Sequence, residues 1–272
     1  MGEGEVAAGG LLLRMNLRRR RAVLVLAASL FALGQTVKDS GAARYLSDGA
    51  QSKSLTVVFV GNSLTYVNDL PHLTQKFAAS NRLHAALVVL TVVGEGAHLA
   101  DHWSKGEAVQ VLRTHRPDVL VLQAQGTEPL AARDDFLRYA ELMKAEADKV
   151  GARTILFETW ARPPGDVFYA QPESGGSREA MQIRLRDTYE WAANRLGAQM
   201  APVGQAFDIG MTRLPDVPLL DGTQHPTLAG SYLAAAVLFQ SLFHASPLDT
   251  PFTGGLEEST AIALRKVALE VR

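Results

Sequence analysis

The chain has 272 residues and a formal net charge of −1, with 27 Lys and Arg against 28 Asp and Glu. A balance this close to zero gives no reason to expect nucleic acid as a partner. With 47% hydrophobic residues and no Cys, the chain can build a sizeable core as one large domain or two small ones, without disulfides and without a cysteine-linked lipid.

The N-terminal part has its own pattern. Four arginines, Arg18 to Arg21, precede the apolar stretch Ala22 to Gly34, which ends on small residues at Ala32 and Gly34. This is the layout of a cleavable secretory signal, and the stretch is shorter than the roughly 20 residues that span a bilayer. The expectation is a signal over 1–34, with Met15 as a possible start, cleavage after Gly34, and no membrane anchor afterwards. Residues 35–54 are polar and rich in Gly, Ala and Ser, and read as a linker. The domain is expected over 55–272.

The first strand is Leu55 to Val60, a continuous apolar run of the kind buried on both faces. A helix over about Leu70 to Asn81 follows, then a second strand from Ala86 to Val93. One helix over Leu99 to Thr114 is expected next, with Pro117 closing the connection, and then a strand from Val119 to Gln123. A helix over Asp134 to Val150 stops at Gly151, and the fourth strand is Thr154 to Phe157. The connection Ala161 to Gly176 reads as a site loop. A helix over Arg178 to Leu196 stops at Gly197, and a short strand near Met200 to Val203 follows. Helices over Leu228 to Phe243 and Glu257 to Val271 complete the chain. Strands alternating with helices predict an α/β fold, a three-layer sandwich around a parallel sheet of about five strands. Ligands bind such sheets beyond the carboxyl ends of the strands. Chemistry is therefore expected just after Val60, Val93 and Gln123.

Gly61-Asn62-Ser63-Leu64-Thr65 stands directly after the first strand. A serine at a strand-to-helix turn exposes its hydroxyl at the sheet edge and aims the following N–H groups at a ligand, though Ser63 also suits a simple helix cap. After the second strand, Gly94 and Gly96 allow a backbone N–H to come close to a ligand, or serve only the turn. After the third, Gln123 and Gln125 lie two apart and share one side of an extended segment. Trp160 is either a pocket wall or core. His98 and His102, four apart with Asp101 between them, have the spacing of two metal ligands, but no third ligand is evident. His98 is placed at the pocket instead, together with Asn62 and Gln123, and no metal or other cofactor is expected.

These blocks resemble those of the SGNH (GDSL-like) hydrolases. Val57 to Thr65, VVFVGNSLT, is similar to the family's first block, with Asn62 where Asp is commoner and Ser63 at the nucleophile. The resemblance implies a flavodoxin-like topology. It also implies an oxyanion hole made from the N–H groups of Ser63 and Gly96, with Gly94 in reserve. The family's third block is Gly-x-Asn-Asp. Here Gln123 stands for the Gly and Gln125 for the Asn whose amide donates to the oxyanion, a role Gln also supports. Leu122 to Gln125 and Thr159-Trp160-Ala161 resemble variant third and fourth blocks of the superfamily. The family's final Asp-x-x-His corresponds to Asp221-Gly222-Thr223-Gln224-His225, one residue longer. His225 is implied as general base. Asp221 is implied as its orienting partner, with a backbone carbonyl as the alternative. The implied activity is ester hydrolysis through an acyl-enzyme on Ser63, acting on a small-molecule or carbohydrate ester such as an O-acetyl group. The competing readings are a non-catalytic carbohydrate-binding protein on the same scaffold and, further off, a metal-dependent hydrolase.

Overall fold

The computed structural model describes residues 54–271; the expected signal and almost all of the expected linker lie outside them. Five strands form one all-parallel sheet in the order β2-β1-β3-β4-β5. They are β1 (Ser54–Gly61), β2 (Ala86–Val93), β3 (Val119–Leu122), β4 (Arg153–Phe157) and β5 (Gln199–Ala201). The order reverses between β2 and β3, on either side of β1, and this opens a crevice at the carboxyl end of β1.

Val57 to Val60 of β1 and all of β3 are apolar on both faces because helices cover both faces, whereas the edge strand β2 leaves several residues exposed. Val57 and Phe59 of β1 point to one core, together with Val121, Ile155 and Phe157. Val58 and Val60 point to the other, with Leu120, Leu122 and Leu156. The first layer consists of α2 (Leu70–Ser80), α8 (Val203–Arg213), α9 (Leu228–Phe243) and α10 (Glu258–Glu270). The second consists of α3 (Leu99–Lys105), α4 (Glu107–His115), α6 (Arg133–Lys149) and α7 (Arg178–Leu196). Two single-turn helices, α1 (Ser63–Tyr66) and α5 (Glu128–Ala131), sit at the sheet's carboxyl edge. α9 is buried on almost every side, as a helix apolar all round must be. None of the helices among the described residues is long and apolar enough to cross a membrane.

Beyond the single-turn helices α1 and α5, which were not expected, three elements differ from the sequence expectation. The single helix over Leu99 to Thr114 is two helices, because Gly106 takes a left-handed conformation (φ 72°) and closes α3 with its N–H on the carbonyls of His102 and Trp103. The last strand ends at Ala201, one residue before Pro202, and the residues beyond it turn into α8. α8 was not expected from the sequence. Its Gly204 and Gly210 look like breakers, yet both are packing sites. A Cβ on Gly204 would stand 2.2 Å from the Thr159 carbonyl oxygen, and one on Gly210 would stand 2.8 Å from Leu219.

Candidate active site

The first site loop runs from Gly61 into α1. Asn62 caps α1 through Oδ1, which accepts from the Leu64 N–H at 3.1 Å, while its Nδ2 donates to the Ala97 carbonyl at 3.1 Å. Only an amide performs both tasks; a carboxylate in its place has no proton for Ala97. Asn62 thus ties the nucleophile loop to the loop after β2. Underneath lies Gln123, fully buried, whose Oε1 accepts from the Asn62 N–H and the Thr65 hydroxyl, both at 2.8 Å. Gly61 has to be glycine here, because a Cβ would come within 2.5 Å of Gln123 Oε1. The Gly61 carbonyl meets His102 Nε2 at 2.8 Å. Burial holds the His102 pKa below its ordinary value, so the ring is neutral and its Nε2–H is the donor.

Ser63 stands above this support. Its Oγ lies 3.0 Å from His225 Nε2, although the two residues are 162 positions apart. The histidine comes from a short loop closed by the antiparallel bridge between Leu220 and Pro226 and by the Asp221 N–H on the His225 carbonyl at 3.1 Å. Trp160, stacked on Phe207 at 4.1 Å, donates its indole N–H to the Gln224 carbonyl at 3.0 Å. Asn68, itself at φ 55°, donates to the Pro226 carbonyl and the Ser231 hydroxyl, both at 3.0 Å.

Asp221 does not meet the imidazole, and the direct Asp–His pair expected from the sequence is corrected here. The longer spacing puts Thr223 between them. The Thr223 hydroxyl donates to Asp221 Oδ1 at 2.6 Å and lies 3.1 Å from His225 Nδ1. With its proton given to Asp221, the hydroxyl is an acceptor for Nδ1–H, and this leaves Nε2 unprotonated toward Ser63. The Asp221 carboxylate also accepts from the Thr223 N–H at 2.9 Å. The bonds from the Thr223 hydroxyl and N–H hold the Asp221 pKa below the ordinary carboxylate value.

Gln125 is fixed through its oxygen, which accepts from the Thr127 N–H (2.7 Å), the Thr127 hydroxyl (2.9 Å) and the Glu128 N–H (3.2 Å). Its –NH2 half is left without a protein partner among the described residues. Buried Glu128 accepts from the Gln125 N–H at 2.9 Å and the Leu99 N–H at 3.3 Å, and so stitches the loop after β3 to the loop after β2. Burial pushes its pKa up, against the pull of those N–H donors and of His98.

A cleft of about 40 Å³ is lined by Asn62, Ser63, Leu64, Gly96, Gln125, Gly126, Trp160, Arg162 and Gln224. Two sequence expectations about it are corrected. Gln123 lies beneath the nucleophile loop, and His98 is turned to Glu128 (3.4 Å) at the start of α3. Gly96, at φ 59°, lines the cleft and Gly94 does not. The N–H groups of Ser63 and Gly96 have no protein acceptor among the described residues. A larger cavity of about 400 Å³, beside Gln199 and His244, shares none of these residues.

With this geometry in view, comparison with solved structures identifies the architecture. A protein from Slackia heliotrinireducens assigned as an SGNH hydrolase is 27% identical, with TM-score 0.59, over 70% of this chain and all of its own. The fold is that of the SGNH hydrolases. A DUF4886 family protein from Bacteroides uniformis superposes with TM-score 0.70 at 15% identity, over 80% of this chain and 94% of its own. An acetyl xylan esterase from Geobacillus stearothermophilus superposes with TM-score 0.53 at 12% identity, over 72% and 95%. No protein-family model matches the sequence, and no curated protein does.

On this SGNH-type scaffold the sequence reading missed Thr223, Asn68, Glu128 and Arg162. Only Thr223 left a trace: a hydroxyl residue two positions before the histidine, inside a loop one residue too long for a direct Asp–His pair.

Proposed function

We propose that the chain is a serine esterase that cleaves small acyl esters of carbohydrates through an acyl-enzyme on Ser63. The observation that carries this reading is the 3.0 Å approach of Ser63 Oγ to His225 Nε2 at the carboxyl end of β1. His225 takes the Ser63 proton as Oγ attacks the ester carbonyl carbon. The developing oxyanion is met by the N–H groups of Ser63 and Gly96 and by the Gln125 amide. The bond to the alcohol then breaks, with the proton passing from His225 to the leaving oxygen. Water attacks the acyl-enzyme by the same route and frees Ser63. The Thr223–Asp221 pair orients the ring and stabilises its charged form. The modest cleft suits an acyl group as small as acetyl, and the acetyl xylan esterase among the structural neighbours supports a carbohydrate alcohol.

The test is covalent labelling with a serine-directed fluorophosphonate, paired with hydrolysis of a chromogenic acetyl ester. Label on Ser63, with both label and hydrolysis absent in Ser63→Ala, is the expected result. A wild-type chain that neither labels nor hydrolyses is the binding-protein reading instead. Export belongs to the same proposal, on the strength of the Arg18 to Gly34 layout. Mature protein from the native host should then begin near Gln35, and retention of Arg18 to Arg21 would refute it.

A further inference from the structure

Among the residues lining the cleft beside Ser63, Arg162 alone carries a charge. It follows Trp160 and Ala161 in the turn after β4, and its backbone is held on both sides. The Arg162 N–H lies 3.5 Å from Met181 Sδ, its carbonyl accepts from the Tyr169 hydroxyl, and the neighbouring Ala161 N–H donates to Gln182 Oε1 at 2.9 Å. The side chain is held far less well. Its Nε is buried and has no hydrogen-bond partner among the described residues. Nor does its guanidinium form an ion pair among them. Arg113, Arg178, Arg186 and Arg213, by contrast, all meet carboxylates. Asp166, the carboxylate whose charge acts on it, has its Oδ1 on the Phe168 N–H at 2.8 Å. An orphaned buried donor is costly and rare in folded proteins. A guanidinium is also the side chain best shaped to take a planar carboxylate through two parallel bonds.

We propose that Arg162 receives a carboxylate of the substrate, so that the preferred ester is an anionic one, carrying its carboxylate on the alcohol half (as an acidic sugar would) or at the end of the acyl chain. This deepens the esterase reading and rests on it. The carboxylate gives the one cation that lines the cleft a counter-charge, and in return anchors the ester against Ser63.

The experiment compares matched ester pairs on the full chain. One pair puts the charge on the alcohol: 3-acetoxybenzoate against its methyl ester. The other puts it on the acyl group: phenyl hydrogen glutarate against phenyl valerate. Wild type should prefer the anionic member of one pair by about tenfold or more in kcat/KM, the range of one charge-assisted hydrogen bond. The pair that shows the preference identifies the half that carries the charge. The ratio should fall toward one in both Arg162→Gln and Arg162→Met, recover in part in Arg162→Lys, and shrink with added salt. Two replacements guard against one that fails to fold, and thermal melts check each. A wild-type ratio near one in both pairs overturns the inference, as does a preference that survives in Arg162→Gln. So does an equal loss on charged and neutral esters, which makes Arg162 a general support of the site. If the wild type cleaves no ester at all, the esterase reading has failed. Calorimetric titration with benzoate and benzamide then decides the carboxylate site alone: benzoate should bind the wild type, and Arg162→Gln should abolish that binding. No benzoate binding to the wild type, or binding that persists in Arg162→Gln, rejects it.

Discussion

The loop that carries Ser63 rests on polar side chains buried in the protein, whereas in the loop that carries His225 the side chains that orient the base are exposed. Asn62, Gln123 and His102 are all buried, and each bonds to the backbone of the first loop or ties it to its neighbour. Asp221 and Thr223 are exposed, and the grip on their loop comes from Trp160 and Asn68 at two carbonyls. Buried hydrogen bonds gain from low dielectric and are expensive to break, while exposed ones are readily replaced by water. The nucleophile side is therefore rigid by construction, and the base side depends on a hydroxyl relay that solvent can partly replace. Mutation should expose this asymmetry.

The largest effect falls where the two loops meet. Ser63→Ala and His225→Ala should lose nearly equal activity, on the order of 10⁴–10⁶ in kcat, because nucleophile and base act as a unit. A His225→Ala enzyme with full esterase activity at neutral pH would dismiss the pair. Next comes Gln125→Ala, which removes the side-chain oxyanion donor and should lower kcat by about 10²–10³ with little change in KM. A near-normal kcat would leave oxyanion binding to the backbone N–H groups alone.

The supports separate the two loops more directly. Gln123→Ala strands the Asn62 N–H and the Thr65 hydroxyl in the interior, which should cost about 2–4 kcal/mol of stability, read as a drop in Tm. Thr223→Val on the exposed side should leave Tm nearly unchanged and lower kcat by about 10–10²-fold. Asp221→Ala should do the same, and the double variant should be no worse than either single one, since both break one relay. Additive losses would mean that Asp221 acts on the histidine by another path.

Much of this architecture is legible in the sequence. The runs Val57 to Val60 and Val119 to Leu122 are apolar at every position because both faces are covered, and α9 is apolar all round because it is enclosed. Ser63 is legible because it directly follows the first strand of a parallel sheet, whereas His225, on a loop between two helices, is legible only through its resemblance to the family's final block. What stays hidden depends on tertiary contact. Gly204 and Gly210 look like helix breakers until Thr159 and Leu219 are seen against them. Gln123 and Gln125 are alike as residue types, yet one is locked under the nucleophile and the other stands at the cleft. Glu128 has no sequence signature, because its partners Leu99 and Gln125 lie on two different loops.

A third anchor, the turn after β4, carries the Trp160 that grips the histidine loop, and it gives the smallest effect on activity at neutral pH. Its base is Glu158, fully buried, with Gln182 Nε2 on Oε1 at 2.8 Å and the Gln205 N–H on Oε2 at 3.2 Å. Burial pushes its pKa from the ordinary 4.5 to about 8, against the pull of those donors, so the group is neutral at pH 7. The folded chain then holds a proton that the unfolded chain has released. Stability from this group is complete below about pH 4.5 and is lost as pH rises through about 8. Glu158→Gln keeps a neutral side chain of nearly the same shape but has no proton to lose. Wild type and variant should therefore melt at similar temperatures near pH 5, and the variant should become the more stable of the two by pH 9. Esterase activity should follow the same split, because an ionised Glu158 loosens the turn from which Trp160 reaches the Gln224 carbonyl. A gap in Tm that stays constant from pH 5 to pH 9 would show that Glu158 is ionised in the folded chain across that range, as it is in the unfolded one, and the base side would then owe nothing to a proton on this buried acid.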